Sequence, residues 1–287
     1  MTSKTSEEKI KKFIEKTGFI LEMKVSQYLI EQNWQVEVGN SFIDLEEMKR
    51  REIDIVATKI INNIEVTLII ECKQSNQDQW VFICSSKNPT RFYYSTKHSP
   101  KIKTLSSKKI LNVMHTMDKT VSLAQNYITF DKRKNKKANT LQIEESLYKL
   151  PKSLIDVARK SIIFQEEKKK IFIPCCIFSD EIFSAQYSEN GLSVKEQSVI
   201  QYNIQFEPKA YSKKNRLKID ESFTETLGKE SVNISPLIIE MILDIADKFG
   251  TKYQIDFVSN KHLKDYLNKV EEGVKLISTR KWSMNVK

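Results

Sequence analysis

Two runs rich in β-branched residues, 53–61 and 64–70, flank Asn62-Asn63, and this stretch constrains the fold more than any other. Asparagine tolerates the left-handed backbone of a two-residue hairpin turn, and β-branched side chains suit a pleated surface. The spacing therefore predicts a hairpin that pairs Ile61 with Ile64, Ile60 with Glu65 and, counted outward, Asp54 with Glu71. Residues so opposed have Cβ atoms about 4.5–5.5 Å apart, where like charges are destabilising unless a cation lies between them. A divalent metal and the Lys73 ammonium are the candidates. Side chains alternate along a strand, so Glu71 and Lys73 share a face while Cys72 joins Ile70, Leu68 and Val66 on the other.

An acid on one strand and Glu-x-Lys on the next, here Asp54 and Glu71-Cys72-Lys73, preceded by the helical acid Glu22, resembles the PD-(D/E)xK nuclease superfamily. The order of helix, strand, motif hairpin, helices and a further strand resembles that family too. Ile53 stands where the family name has proline, a residue the pattern does not require. The resemblance covers roughly residues 8–180 and implies a restriction-endonuclease-like α/β fold, a mixed central sheet flanked by helices. Residues 181–287 then form an α/β extension packed on the same core. It also implies that Asp54 and Glu71 hold Mg²⁺, with Mn²⁺ as substitute. Glu22 would be a third or outer acid, and Lys73 would position or activate the attacking water. Gln74, next in the chain, either contacts a phosphate or metal-bound water or is a polar strand end.

The net charge of +10 favours an anionic partner, nucleic acid first. From Lys87 to Lys109 the chain interleaves basic and aromatic residues, with Arg91, Lys97, Lys101 and Lys103 as candidate phosphate contacts. A solvated loop over an aromatic mini-core reads equally well. Four cysteines without C-x-x-C spacing and three scattered histidines argue against zinc and against a disulfide framework. No apolar run is long enough to span a bilayer, and no signal peptide is expected after Met1, so the expected setting is cytoplasmic.

Elsewhere, residues 6–32 read as one helix, or two broken near Thr17-Gly18, with Glu22 on or beside the apolar face. Trp34–Val38 reads as a strand turning at Gly39-Asn40, and Phe42–Arg51 as a loop or short helix. Helical spacing is predicted over 107–130, and a helix pair broken at Pro151 over 141–167. The run 171–178 reads as a central strand, with Pro174 arguing for a bulge or an edge. Further strands are predicted over 182–187, 199–206 and 253–258, and further helices over 236–249 and 261–270. Lys213, Lys214, Arg216 and Lys218 form a second basic cluster.

Three functions follow in order of support: a Mg²⁺-dependent nuclease, most simply of double-stranded DNA; a binding or sensing module that kept the fold and lost turnover; an unrelated α/β protein with a chance Glu-x-Lys. Restriction, phage defence and repair are all settings for such a nuclease. Cutting both strands of a duplex suggests a homodimer.

Overall fold

The computed structural model describes residues 6–14, 17–47, 49–75, 78–84, 92–96, 110–114, 122–163, 169–205, 241–243, 245–246 and 252–279. Two helices, α1 (Ser6–Ile14) and α2 (Phe19–Glu31), come first, separated at Thr17-Gly18. Three antiparallel strands follow: β1 (Gln35–Asp44), β2 (Lys49–Ile61) and β3 (Ile64–Lys73). Asn62 and Asn63 join the last two with positive φ, 47° and 62°. Two successive left-handed residues make the turn whose twist matches its strands. That turn sets the register, which runs from Ile61–Ile64 out to Ile55–Ile70.

Beyond the hairpin come β4 (Asp78–Cys84), β5 (Phe92–Thr96), β6 (Ile110–Met114), β7 (Ser122–Asp131) and the short β8 (Lys136–Lys137). The long helix α3 (Leu141–Ile163) then returns the chain to β9 (Lys169–Phe178), which lies parallel to β3. After β9 come β10 (Ile182–Ser188), β11 (Gly191–Gln197), β12 (Val199–Gln205), β13 (Lys252–Ser259) and α4 (Leu263–Thr279). These strands form one mixed sheet in the order β1-β2-β3-β9-β13-β12-β7-β4-β10-β11, with β5, β6 and β8 off that path. The sheet crosses residue 180 without interruption, since β13 lies beside β9 and β10 beside β4.

Helices cover both faces. On one, Leu21, Val25 and Leu29 of α2 and Tyr266, Leu267 and Val270 of α4 pack on Val66, Leu68, Ile70 and Cys72. On the other, Ile143, Leu147, Leu150 and Leu154 of α3 pack with Ile69, Phe172, Cys176, Trp80 and Phe82. Each fully buried aliphatic side chain contributes about 1.5–3 kcal/mol, so these two stripes fix where α2 and α3 sit on the sheet. The protein is thus mixed α/β, a large mixed sheet flanked by helices. No described helix is long and apolar enough to cross a membrane.

Four readings of the sequence are corrected. The helical spacing of 107–130 gives strands instead, Ile110–Met114 and Ser122–Asp131, because pairing of β7 with β4 and β12 overrides a three-to-four apolar spacing. Pro151 does not split α3. A proline deletes one helical hydrogen bond, and residues 151–159 are all buried, so packing holds the helix across the gap. Gly39-Asn40 is no turn: β1 runs on to Asp44, with Gly39 at φ 67° as a local distortion. The loop or helix expected over Phe42–Arg51 is reduced to a turn at 45–47, because both strands continue into it. Pro174 sits inside a central strand where the second edge of β9 changes partner, from β5 over Lys170–Phe172 to β13 over Cys175–Phe178. The missing proline N–H falls at that step. Of the predicted helix 236–249 only residues 241–243, 245 and 246 are described, and they are helical. The basic cluster 213–218 lies outside the described residues.

Candidate active site

The hairpin opens one rung before its predicted end. The β2–β3 ladder stops at Ile55–Ile70, so Asp54 and Glu71 are not a ladder pair. On the other edge of β2, the pairing with β1 also skips Asp54 and Gly39. Gly39 has φ 67°, a backbone conformation that favours glycine, and a Cβ there would come within 3.1 Å of Glu52 Oε1, whose side chain would have to shift. Face alternation breaks at the same point, with Ile53 in the core under α3 and Ile55 in the core under α2. The backbone N–H of Cys72 donates to Asp54 Oδ2 at 2.7 Å, a carboxylate replacing a ladder carbonyl. The splayed strands thereby aim Asp54 at the end of β3.

A chain of alternating charges runs from there. Lys149 of α3 donates to Asp54 Oδ1 at 3.2 Å and pairs with Glu71 Oε2. Lys73 Nζ lies 3.1 Å from Glu71 Oε1 and 3.0 Å from Glu145 Oε2, one turn before Lys149 on α3. The end of β3 is held by the Ser179 N–H, which donates to the Lys73 carbonyl at 3.0 Å. In the parallel neighbour, Cys176 is the register partner of Glu71 and forms the floor beside it, with Sγ 3.5 Å from Ser146 Oγ. Burial pushes the Cys176 thiol up to about 12, so it stays a neutral, small, apolar group.

The electrostatics follow from this layout. Burial, then the charge of Asp54, raises the Glu71 carboxyl above its ordinary range against the pull of Lys149 and Lys73. Burial, then Asp54, Glu52 and Glu71, raises Glu22, which places this α2 acid within electrostatic reach of the strand carboxylates. Burial works against the Lys73 ammonium, but Glu71 and Glu145 outweigh it and raise its pKa. Lys73 therefore stays protonated, suited to orienting a water or stabilising negative charge rather than abstracting a proton.

The structure thus brings Asp54, Glu71 and Lys73 together, with Glu22 at the margin. Gln74 is half-buried at the strand end, and its carbonyl accepts a bond from Gln142 Nε2 at 3.4 Å. Cys72 faces away, buried with Ile70, as alternation predicts. Arg91, Lys97, Lys101 and Lys103 lie outside the described residues. Sequence reasoning missed Lys149 and Glu145. Their i, i+4 spacing beside the buried stripe Ile143, Leu147 and Leu150 marks one edge of α3, but no spacing says which strand that edge meets.

A second lysine, Lys152, continues this edge. Its Nζ lies 2.8 Å from both Asp44 oxygens and 2.8 Å from Glu46 Oε2, and 3.8 Å from the centroid of the Tyr148 ring.

The donors at the first cluster are hard carboxylate oxygens, which suit Mg²⁺ or Mn²⁺ over zinc. Asp54 Oδ1 and Glu71 Oε2 converge on one point, where the Lys149 ammonium stands. Among the described residues, no three His, Cys, Asp or Glu side chains form a ready-made metal cage. The residue types and the convergence of the two oxygens fit a divalent cation that replaces the ammonium. No protein-family model matches the chain, and no curated protein or solved structure is significantly similar to it.

Proposed function

We propose that the protein is a metal-dependent nuclease of restriction-endonuclease-like architecture that hydrolyses phosphodiester bonds, first of all in double-stranded DNA. The carrying observation is the convergence of Asp54, Glu71 and Lys73 at the splayed end of one hairpin. The order α2, β1, β2, β3 and, after five further strands, α3 and β9, with β9 parallel to β3, is compatible with the same reading. Asp54 and Glu71 would hold Mg²⁺, with Glu22 as an outer acid. When bound, the ion would lower the pKa of a coordinated water and offset charge on the phosphate. The chain's own part is to hold the two carboxylates convergent and to keep Lys73 charged. Tied to Glu71 and Glu145, the Lys73 ammonium is fixed in direction and can orient the attacking water or stabilise charge at the phosphate.

A specific observation favours a second reading. Lys149 already pairs with both carboxylates, as in a site that binds nucleic acid or senses it without turnover. Incubating the protein with plasmid and linear DNA, with and without Mg²⁺, separates the two. Metal-dependent cleavage that Asp54→Asn, Glu71→Gln and Lys73→Ala each remove supports the nuclease. Binding without cleavage supports the second reading, and the absence of both cleavage and binding would exclude both.

A further inference from the structure

We propose that Lys149 is a built-in counter-ion that a divalent cation must displace, so that this one side chain sets the metal affinity of the site. The inference rests on the metal-binding part of the reading above, not on catalysis.

The case is geometric. Each carboxylate of the pair has one oxygen already engaged. Asp54 Oδ2 takes the Cys72 N–H, and Glu71 Oε1 faces Lys73. The other two, Asp54 Oδ1 and Glu71 Oε2, both end on Lys149 Nζ. These are the oxygens a bridging cation needs, so ammonium and metal cannot both hold them. Like charges brought together in a partly buried place require a cation in either state.

Lys149 is also able to leave. Its side chain is 22% exposed, and Asp54 is 14% exposed, so the pair opens toward solvent. Glu145, four residues earlier on the same helix and half exposed, is within reach of a freed ammonium, in the favourable order of acid before base. Lys73, by contrast, retains Glu145 and Glu71 as partners and need not move. The backbone of α3 under Lys149 is pinned by buried Leu147 and Leu150, so exchange involves a side-chain swing, not a helix shift.

The test measures Mn²⁺ affinity by calorimetry and by the paramagnetic resonance of free Mn²⁺, in the full-length protein without nucleic acid. Lys149→Met keeps the stem and removes the charge. It should bind Mn²⁺ roughly tenfold tighter or more than the wild type, while Lys149→Arg should stay close to wild type. Without metal, Lys149→Met should melt earlier, and Mn²⁺ should raise its Tm further than that of the wild type. Equal or weaker Mn²⁺ binding by Lys149→Met would overturn the proposal while leaving the metal site standing. Mn²⁺ binding by neither protein would overturn both. Tighter Mn²⁺ binding by Lys149→Met, with no metal-dependent DNA cleavage by the wild type, would uphold the exchange and sink the nuclease. Should Lys149→Met fail to fold, lysine-ammonium NMR of the wild type decides. Titration with Mg²⁺ should move the Lys149 resonance, and an unmoved resonance at saturating Mg²⁺ would overturn the exchange.

Discussion

Lys149 and Lys152 stand three residues apart on one helix, and each meets two carboxylates, Lys152's from the end of β1 and the turn after it, yet the two clusters are built for opposite ends. Lys152 is sealed: its side chain is 0% exposed, that of Asp44 2%, and both Asp44 oxygens end on one ammonium. A tyrosine ring adjoins the same ammonium. Lys149 is only partly covered and divides itself between acids on two strands that have splayed apart. One cluster is closed by burial, with Arg51 Nε, 3.2 Å from Asp44 Oδ2, as a second cation. The other keeps a raised carboxyl, an exposed rim and oxygens with a single shared partner. The two clusters share residue types and differ in exposure and in a raised carboxyl.

The comparison breaks most visibly under substitution. At the Lys149 cluster, Lys73→Ala should lower DNA cleavage by roughly 10²–10³-fold, the loss expected on removing a group that stabilises developing charge. Asp54→Asn and Glu71→Gln should cost at least as much, and circular dichroism should find all three folded. A variant that loses activity only by unfolding would make this cluster structural like its neighbour.

At the Lys152 cluster the order reverses. Asp44→Ala leaves a buried ammonium short of its main partner and should destabilise by about 3 kcal/mol in chemical denaturation. Activity per folded molecule should survive. Unchanged stability would mean that Glu46 alone satisfies Lys152.

A smaller effect concerns pH. A carboxyl whose pKa is raised in the folded state binds its proton more tightly there than in the unfolded chain. Its contribution to stability is therefore present below the ordinary value of 4.5 and is lost as pH rises through the folded value. Metal-free Glu22→Gln should accordingly lose less stability than wild type between about pH 4 and pH 7. Parallel pH profiles for the two proteins would take Glu22 out of the cluster. Smallest of all, Cys72→Val should keep activity and change stability by about 1 kcal/mol or less, because Cys72 packs as a small apolar group on the opposite face.

The sequence by itself determined the hairpin. Two asparagines able to adopt positive φ, between β-branched runs, dictate the turn and the register and face as far as Ile55–Ile70, because these are local properties of neighbouring residues, whereas the expected Asp54–Glu71 rung does not form. The same locality made Asp54, Glu71 and Lys73 legible as a group, and put Cys72 on the far side. Where the sequence misled, non-local pairing had overruled local pattern: β7 became a strand because β4 and β12 flank it, and α3 ran through Pro151 because it is buried on the sheet. Only the tertiary structure decided what stands between Asp54 and Glu71. The sequence offered a metal or Lys73 from the same strand. The cation in place is Lys149, more than seventy residues further along the chain by number and brought there by the apolar stripe of α3. A hydrophobic pattern says that a helix will lie on a sheet. Which carboxylates its polar edge then meets depends on the splay of β2 at Asp54 and on where the two surfaces lock, and neither is written in any local spacing.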